Sequence, residues 1–148
     1  MRLKSILLAV VVVALPSLAR ADGVQEALQK FGLFGVWAPD CNKPRSATNV
    51  YAHFSMSDAG RGSLSFDAGP GYDPNVYIIH EARLLSSNKV ELKEELLADG
   101  KFTDAVFAKI NGKLHTISAK RADGTVLVQN GRLVPSGRES VWLVRCSD

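Results

Sequence analysis

The chain has 148 residues, 18 of them Lys or Arg and 15 Asp or Glu, a formal charge of +3. The length supports one domain with one core. The positive excess is no signature of nucleic acid or anionic lipid: Arg2, Lys4 and Arg20 account for it within the first 21 residues, and no Lys/Arg cluster remains beyond them to track phosphates.

At the N-terminus, Arg2 and Lys4 precede an unbroken apolar run from Ile6 to Leu15, and Ala19-Arg20-Ala21 supplies the small residues read by signal peptidase. This pattern predicts a secretory signal peptide over residues 1–21 and a mature domain over residues 22–148. The run is shorter than the ~20 residues of a bilayer span, and no later segment approaches that length, so no integral membrane segment is expected after the leader is removed. Without a cysteine just after the run, a lipid anchor is not expected either. The expected location is the periplasm or the exterior.

The mature chain keeps 127 of the 148 residues and both cysteines, Cys41 and Cys146. In an exporting compartment they are expected to pair, tying the start of the fold to its end. A reactive thiol or a metal pair is the competing reading, opposed by the lack of a histidine near either cysteine in sequence.

From Asp22 to Leu33, Val24, Ala27, Leu28 and Phe31 recur at helical spacing among Gln25, Glu26, Gln29 and Lys30. This predicts a short amphipathic helix stopped by Gly32. Beyond it the hydrophobic period falls to two, and turn signals (SDAGRG, GPGYDP, SSNK, ADGK, INGK, ADGT, QNGR, PSGR) come about every ten residues. The expected fold is all-β: an antiparallel up-and-down meander of eight or nine strands after a short N-terminal helix, with no gap long enough for a crossover helix.

Alternation places Val50, Ala52, Phe54 and Met56 on the core face of one strand, and Leu64 and Phe66 on the next. Val76, Ile78, Ala82 and Leu84 follow, then Val90 and Leu92, then Phe102, Val106, Ala108 and Ile110 with Asp104 among them. Ile117 and Ala119 precede Val126 and Val128. The last strand, Ser140 to Cys146, is apolar on both faces through Val141, Trp142, Leu143 and Val144, which predicts burial on both sides under the helix.

The stretch FGLFGVWAPDC, residues 31–41, concentrates two phenylalanines, a tryptophan and a cysteine. Gly35-Val36-Trp37 follows the helix and opens the first strand, and Arg145 ends the last one. This combination resembles the lipocalins and the wider calycin group, which carry Gly-x-Trp on the first strand and a closing arginine on the last. The resemblance implies a lipocalin-like barrel in which the Arg145 guanidinium packs on the Trp37 indole, a cation-π contact worth ~0.5–2 kcal/mol. The Cys41–Cys146 pair would join the same two strands, so both devices would close one seam. The chain also resembles small exported proteins of Gram-negative bacteria, and bacterial inhibitors of secreted metalloproteases, which are small calycin barrels.

For chemistry, His80 and His115 are expected on inward faces with Asp104, where they could orient the polar end of a ligand or serve as hydrogen-bonded rim residues. Phe54, Phe66, Ile78, Val106 and Ile117 are expected to line an apolar lumen. His53 is expected in solvent. Glu91, Glu94 and Glu95, with Lys93 among them, read as a charged exterior. No nucleophile elbow, zinc helix motif or phosphate loop is present, so no catalytic residue, metal or cofactor is assigned and a non-enzymatic protein is expected. The expected partner is a small apolar or amphipathic ligand held in the lumen. The alternative is an envelope or secreted protein gripped by exposed loops around a solid core, as by a hydrolase inhibitor or an envelope accessory protein.

Overall fold

The computed structural model describes residues 19–146, and side chains from Gly23 onward. The predicted leader therefore lies outside the described residues except for its last three positions. One helix, α1 (Ala19–Phe31), precedes ten strands: β1 (Gly35–Ala38), β2 (Tyr51–Met56), β3 (Gly62–Asp67), β4 (Asn75–Ser86), β5 (Lys89–Leu96), β6 (Lys101–Ile110), β7 (Lys113–Arg121), β8 (Val126–Gln129), β9 (Arg132–Leu133) and β10 (Trp142–Arg145). The helix begins three residues before the predicted Asp22. The two-residue β9 is too short to leave a periodic signal and was not anticipated.

All strand pairings are antiparallel, and neighbours in sequence pair from β1 to β9. Closure comes from β10, which pairs with β1 on one side (Trp37 with Arg145) and with β7 on the other (Trp142 with His115). Strands β1 to β7 and β10 thus form a closed eight-stranded barrel with a short helix, the expected fold. The far half of β7 pairs instead with β8 (Ala119 with Val128), so β8 and β9 form a flap beside the ring.

The interior is one apolar cluster that includes Trp37, Ala52, Phe54, Leu64, Ile79, Val90, Leu92, Ala105, Phe107, Leu114 and Ala119. Helix α1 adds Val24, Leu28 and Phe31 to the same cluster, with Leu33 just beyond its end. The helix is seated mainly against β4. Gly62 permits the approach: a Cβ there would stand 2.9 Å from Ile79 Cβ and 3.0 Å from Val24 Cγ1, inside van der Waals contact. The amphipathic stripe read from the sequence therefore fills part of the barrel instead of lying over β10. Residues of β10 are half-buried or exposed, and Val141 is 57% exposed, so the last strand is not covered on both faces.

The expected disulfide is present, with 5.4 Å between the Cα atoms of Cys41 and Cys146. It sits where expected, since Cys146 N–H donates to the Val36 carbonyl on β1. The predicted stacking is redistributed. Arg145 is the register partner of Trp37, but its guanidinium lies over Gly35, where an added Cβ would meet Nη2 at 3.4 Å. The cation over the indole is Lys109, whose Nζ stands 5.4 Å from the Trp37 ring centroid and 4.7 Å from that of Phe31. Lys109 Nζ also donates to the Phe31 carbonyl and, at 2.9 Å, to the Gly32 carbonyl. These are free acceptors at a helix C-terminus, where a cation is favoured. Burial, and then the nearby Arg145 charge, hold the Lys109 ammonium below its usual 10.5. Lys109 thus joins helix, first strand and β6 at one point.

Candidate functional site

Two irregularities decide which residues face the interior. In β4 the register slips between Ile79 and Glu81, so the inward set is Tyr77 and Ile79 before the bulge and Ala82 after it. In β7 a second slip at Ile117 gives the inward positions to Leu114 before it and Ala119 beyond it. The expected inward faces of Ala82 and Ala119 agree with the structure. Val76, Ile78, His80 and His115 fall on the other side of their bulges, and Ile117 is the extra residue of its own.

The face of β6 is also opposite to expectation except at Ala108, which is buried as expected. Ala105 and Phe107 belong to the interior cluster with Thr103 buried beside them, whereas Asp104 and Ile110 are exposed and Phe102 and Val106 lie between. Of the expected lumen residues, Phe54 is in the cluster and Phe66 packs against it; Ile78, Val106, Ile117, His80, His115 and Asp104 do not belong to it. Both faces of β6 carry apolar residues, so alternation alone was ambiguous there. Asp104 marked the outer one.

The expected site residues divide between two outer clusters. Around His80, Nε2 lies 2.7 Å from Glu95 Oε2 and the ring packs at 5.2 Å from that of Phe102. An open cleft of about 380 Å³ adjoins, lined by His80, Arg83, Glu91, Lys93 and Asp104 with Gly23 and Val24 of the helix. Its charges largely pair with one another: Arg83 with Glu91 at 2.6 Å, and Lys93 at 3.9 Å from Glu81. Exposed pairs of this kind contribute ~0–1 kcal/mol each and give the face a mixed sign.

His115 belongs to the second cluster, buried under the flap. Its ring stacks on Trp142 at 3.9 Å with 3° between planes. Ser140 Oγ donates to the Thr116 carbonyl at 2.6 Å, which leaves its oxygen to accept from His115 Nδ1 at 3.1 Å. Gly131 presses on the other nitrogen, where a Cβ would come within 2.6 Å of Nε2. Trp142 Nε1 donates to Glu139 at 2.8 Å. This is the bonding of a structural histidine that fastens β10 and the flap to β7, in keeping with the rim reading and not with a lumen anchor. His53 is exposed as expected.

Sequence reasoning also misplaced Glu94. Expected on the charged exterior, it is only 4% exposed, and its register partners are Ile79 of the interior cluster and buried Thr103. Its Oε1 is buried without any hydrogen-bond partner among the described residues. Burial pushes its carboxyl up to about 8 from 4.5, so the group is un-ionised at neutral pH. Glu91 and Glu95, at odd positions, are on the outer face as expected. The signal was available: Val90 and Leu92 were read as inward, and Glu94 is the next residue of that period.

Successive cross-strand partners Gly62, Ile79, Glu94, Thr103 and Arg121 form one row across the barrel wall. The helix closes on the row at Gly62, and the row ends at half-exposed Arg121 beside the β7–β8 turn. Half-buried Tyr77 lies within the electrostatic reach of Glu94, Arg121 and Asp99; burial first, and then the Glu94 charge, raise its hydroxyl above 10. Phe66 meets Tyr77 edge-on at 5.9 Å. A buried carboxyl oxygen without a hydrogen-bond partner and the half-buried Tyr77 that feels its charge therefore lie on one side of the barrel, in a register row that ends at Arg121. The described residues bring together no group of three His, Cys, Asp or Glu side chains able to hold a metal ion. Among them no helix is long and apolar enough to cross a membrane. Neither a protein-family model, nor a curated protein, nor a solved structure matches this chain.

Proposed function

We propose that this chain is an exported, non-enzymatic binding protein that holds a small amphipathic molecule within its barrel, the polar end directed at Glu94. One observation carries the reading: a buried carboxyl group with an oxygen that has no hydrogen-bond partner among the described residues. Leaving a buried polar group unmade costs ~1–3 kcal/mol, and native proteins keep such groups rarely and for a reason. A ligand that supplies the missing hydrogen bond is the simplest reason inside an eight-stranded barrel, whose bore admits side chains or one small ligand. The Cys41–Cys146 bridge supports export, since disulfides persist in oxidising compartments. The closed eight-stranded ring is compatible with a binding barrel.

Native mass spectrometry of protein purified from an exporting host tests the reading. A co-purifying small molecule, or a thermal shift with members of a lipid and metabolite panel, is the expected result; apoprotein alone with no shift rejects it. A second reading, a protein-binding module with a solid core, is favoured by the depth to which Val24, Leu28 and Phe31 fill the barrel. Its test is affinity capture from the envelope, which must return one defined protein repeatedly.

A further inference from the structure

The proposed site leaves open what the ligand's polar end is, and the groups around Glu94 decide between classes. Taking the binding reading as its basis, we infer that the polar end is an organic ammonium, which pairs with Glu94 as a carboxylate and displaces its proton on entry.

The geometry argues as follows. Glu94 Oε1 lacks a hydrogen-bond partner, and as a carboxylate it could only accept, so a group that pairs with the ionised form must bring a donor. An ammonium brings three donors and no acceptor, the complement of an ionised carboxylate, which offers acceptors only. A ligand carboxylate could only accept from the un-ionised Glu94, and would be repelled once Glu94 ionised. An alcohol would supply one donor but no positive charge, so Glu94 would keep its proton and none would be released. Tyr77, within electrostatic reach of Glu94 and met edge-on by Phe66 at 5.9 Å, adds aromatic surface of the kind that attracts cations.

The charged and titratable groups that face this region are few. Tyr77 projects from β4 and is neutral below its raised pKa. Arg121 of β7 lies beyond Thr103 in the register row, half-exposed at the rim and screened by water. Asp99, in the β5–β6 turn, offsets Arg121 at Tyr77. Helix α1 contributes Val24, Leu28 and Phe31, which are uncharged, to the interior. No fixed cation therefore occupies the place of the ammonium among the described residues. In the exchange Glu94 loses its proton to solvent, the ligand keeps its own, and one proton is released per ammonium bound.

Calorimetric titration with hexylammonium, 1-hexanol and hexanoate tests the inference, run at pH 6, 7 and 8 in phosphate and in Tris so that the enthalpy difference counts protons. Hexylammonium is expected to bind best, release close to one proton at pH 7, and gain about tenfold in affinity from pH 6 to 7 as the ionised fraction of Glu94 rises. Glu94→Gln should lose hexylammonium binding at least tenfold, keep hexanol binding and unfold cooperatively, which separates loss of recognition from loss of fold. Hexanoate binding more tightly than hexylammonium overturns the ammonium assignment but leaves the binding reading intact. Hexylammonium binding without proton release, or undiminished in Glu94→Gln, does the same. Failure of all three probes to bind overturns the ammonium assignment, and the binding reading falls with it only where native mass spectrometry also finds apoprotein alone and the panel gives no thermal shift.

Discussion

Replacing Glu94 by glutamine removes a titrating group while keeping its shape, which makes the energetic cost of the buried carboxyl measurable. In the native state the group titrates near 8, and 4.5 is its ordinary value. Between those values the unfolded chain gives up its proton and the native chain keeps it. The native state then binds more protons, and stability falls as pH rises. At about 1.4 kcal/mol per pH unit, Glu94 costs roughly 3 kcal/mol at pH 7 and on the order of 5 kcal/mol by pH 9. Glutamine lacks this term and leaves its amide similarly short of partners. Urea unfolding of both proteins at pH 5, 7 and 9 reads the effect. Near pH 5 the two should be nearly equal, and by pH 9 the variant should be the more stable by several kcal/mol, because every other group titrates alike in both. Curves that stay parallel from pH 5 to 9 refute the reasoning, since the Glu94 carboxyl would then be ionising in a solvated site.

Other perturbations address closure. Cys41→Ser with Cys146→Ser opens a loop of 105 residues; the chain-entropy treatment sets the loss at about 4–5 kcal/mol, read as a fall in the denaturant midpoint and absent if the seam is held mainly by β10 pairing. Lys109→Met keeps the aliphatic stem but strips the donor from the Phe31 and Gly32 carbonyls and the cation from Trp37. A loss of about 2 kcal/mol is expected, with hydrogen exchange accelerated in the last turn of α1, and unchanged exchange there would count against the capping role.

Much of the architecture was legible because it rests on local periodicity. Ala52, Phe54, Leu64, Val90 and Leu92 face the core as a period of two requires, and the 3.6-residue stripe of Val24, Leu28 and Phe31 marks α1. Two cysteines in a chain whose N-terminal pattern predicts export pointed to one bridge, and the bridge is present. The site was less legible. A bulge shifts alternation by one and moves every later side chain to the other face. Nothing local announced the slips at His80 and Ile117, so both histidines were assigned to the interior they do not reach.

Composition and pattern by themselves determined an antiparallel β chain with one amphipathic helix and a covalent link between its ends. Those properties follow from each residue's own preference for water and from neighbours a few positions away. Tertiary structure alone decided that the helix fills the barrel, that Lys109 takes the place over Trp37 expected of Arg145, and that Glu94 stays inside. Each depends on register between strands distant in sequence, where the burial of many apolar neighbours outweighs the preference of one charged side chain for water.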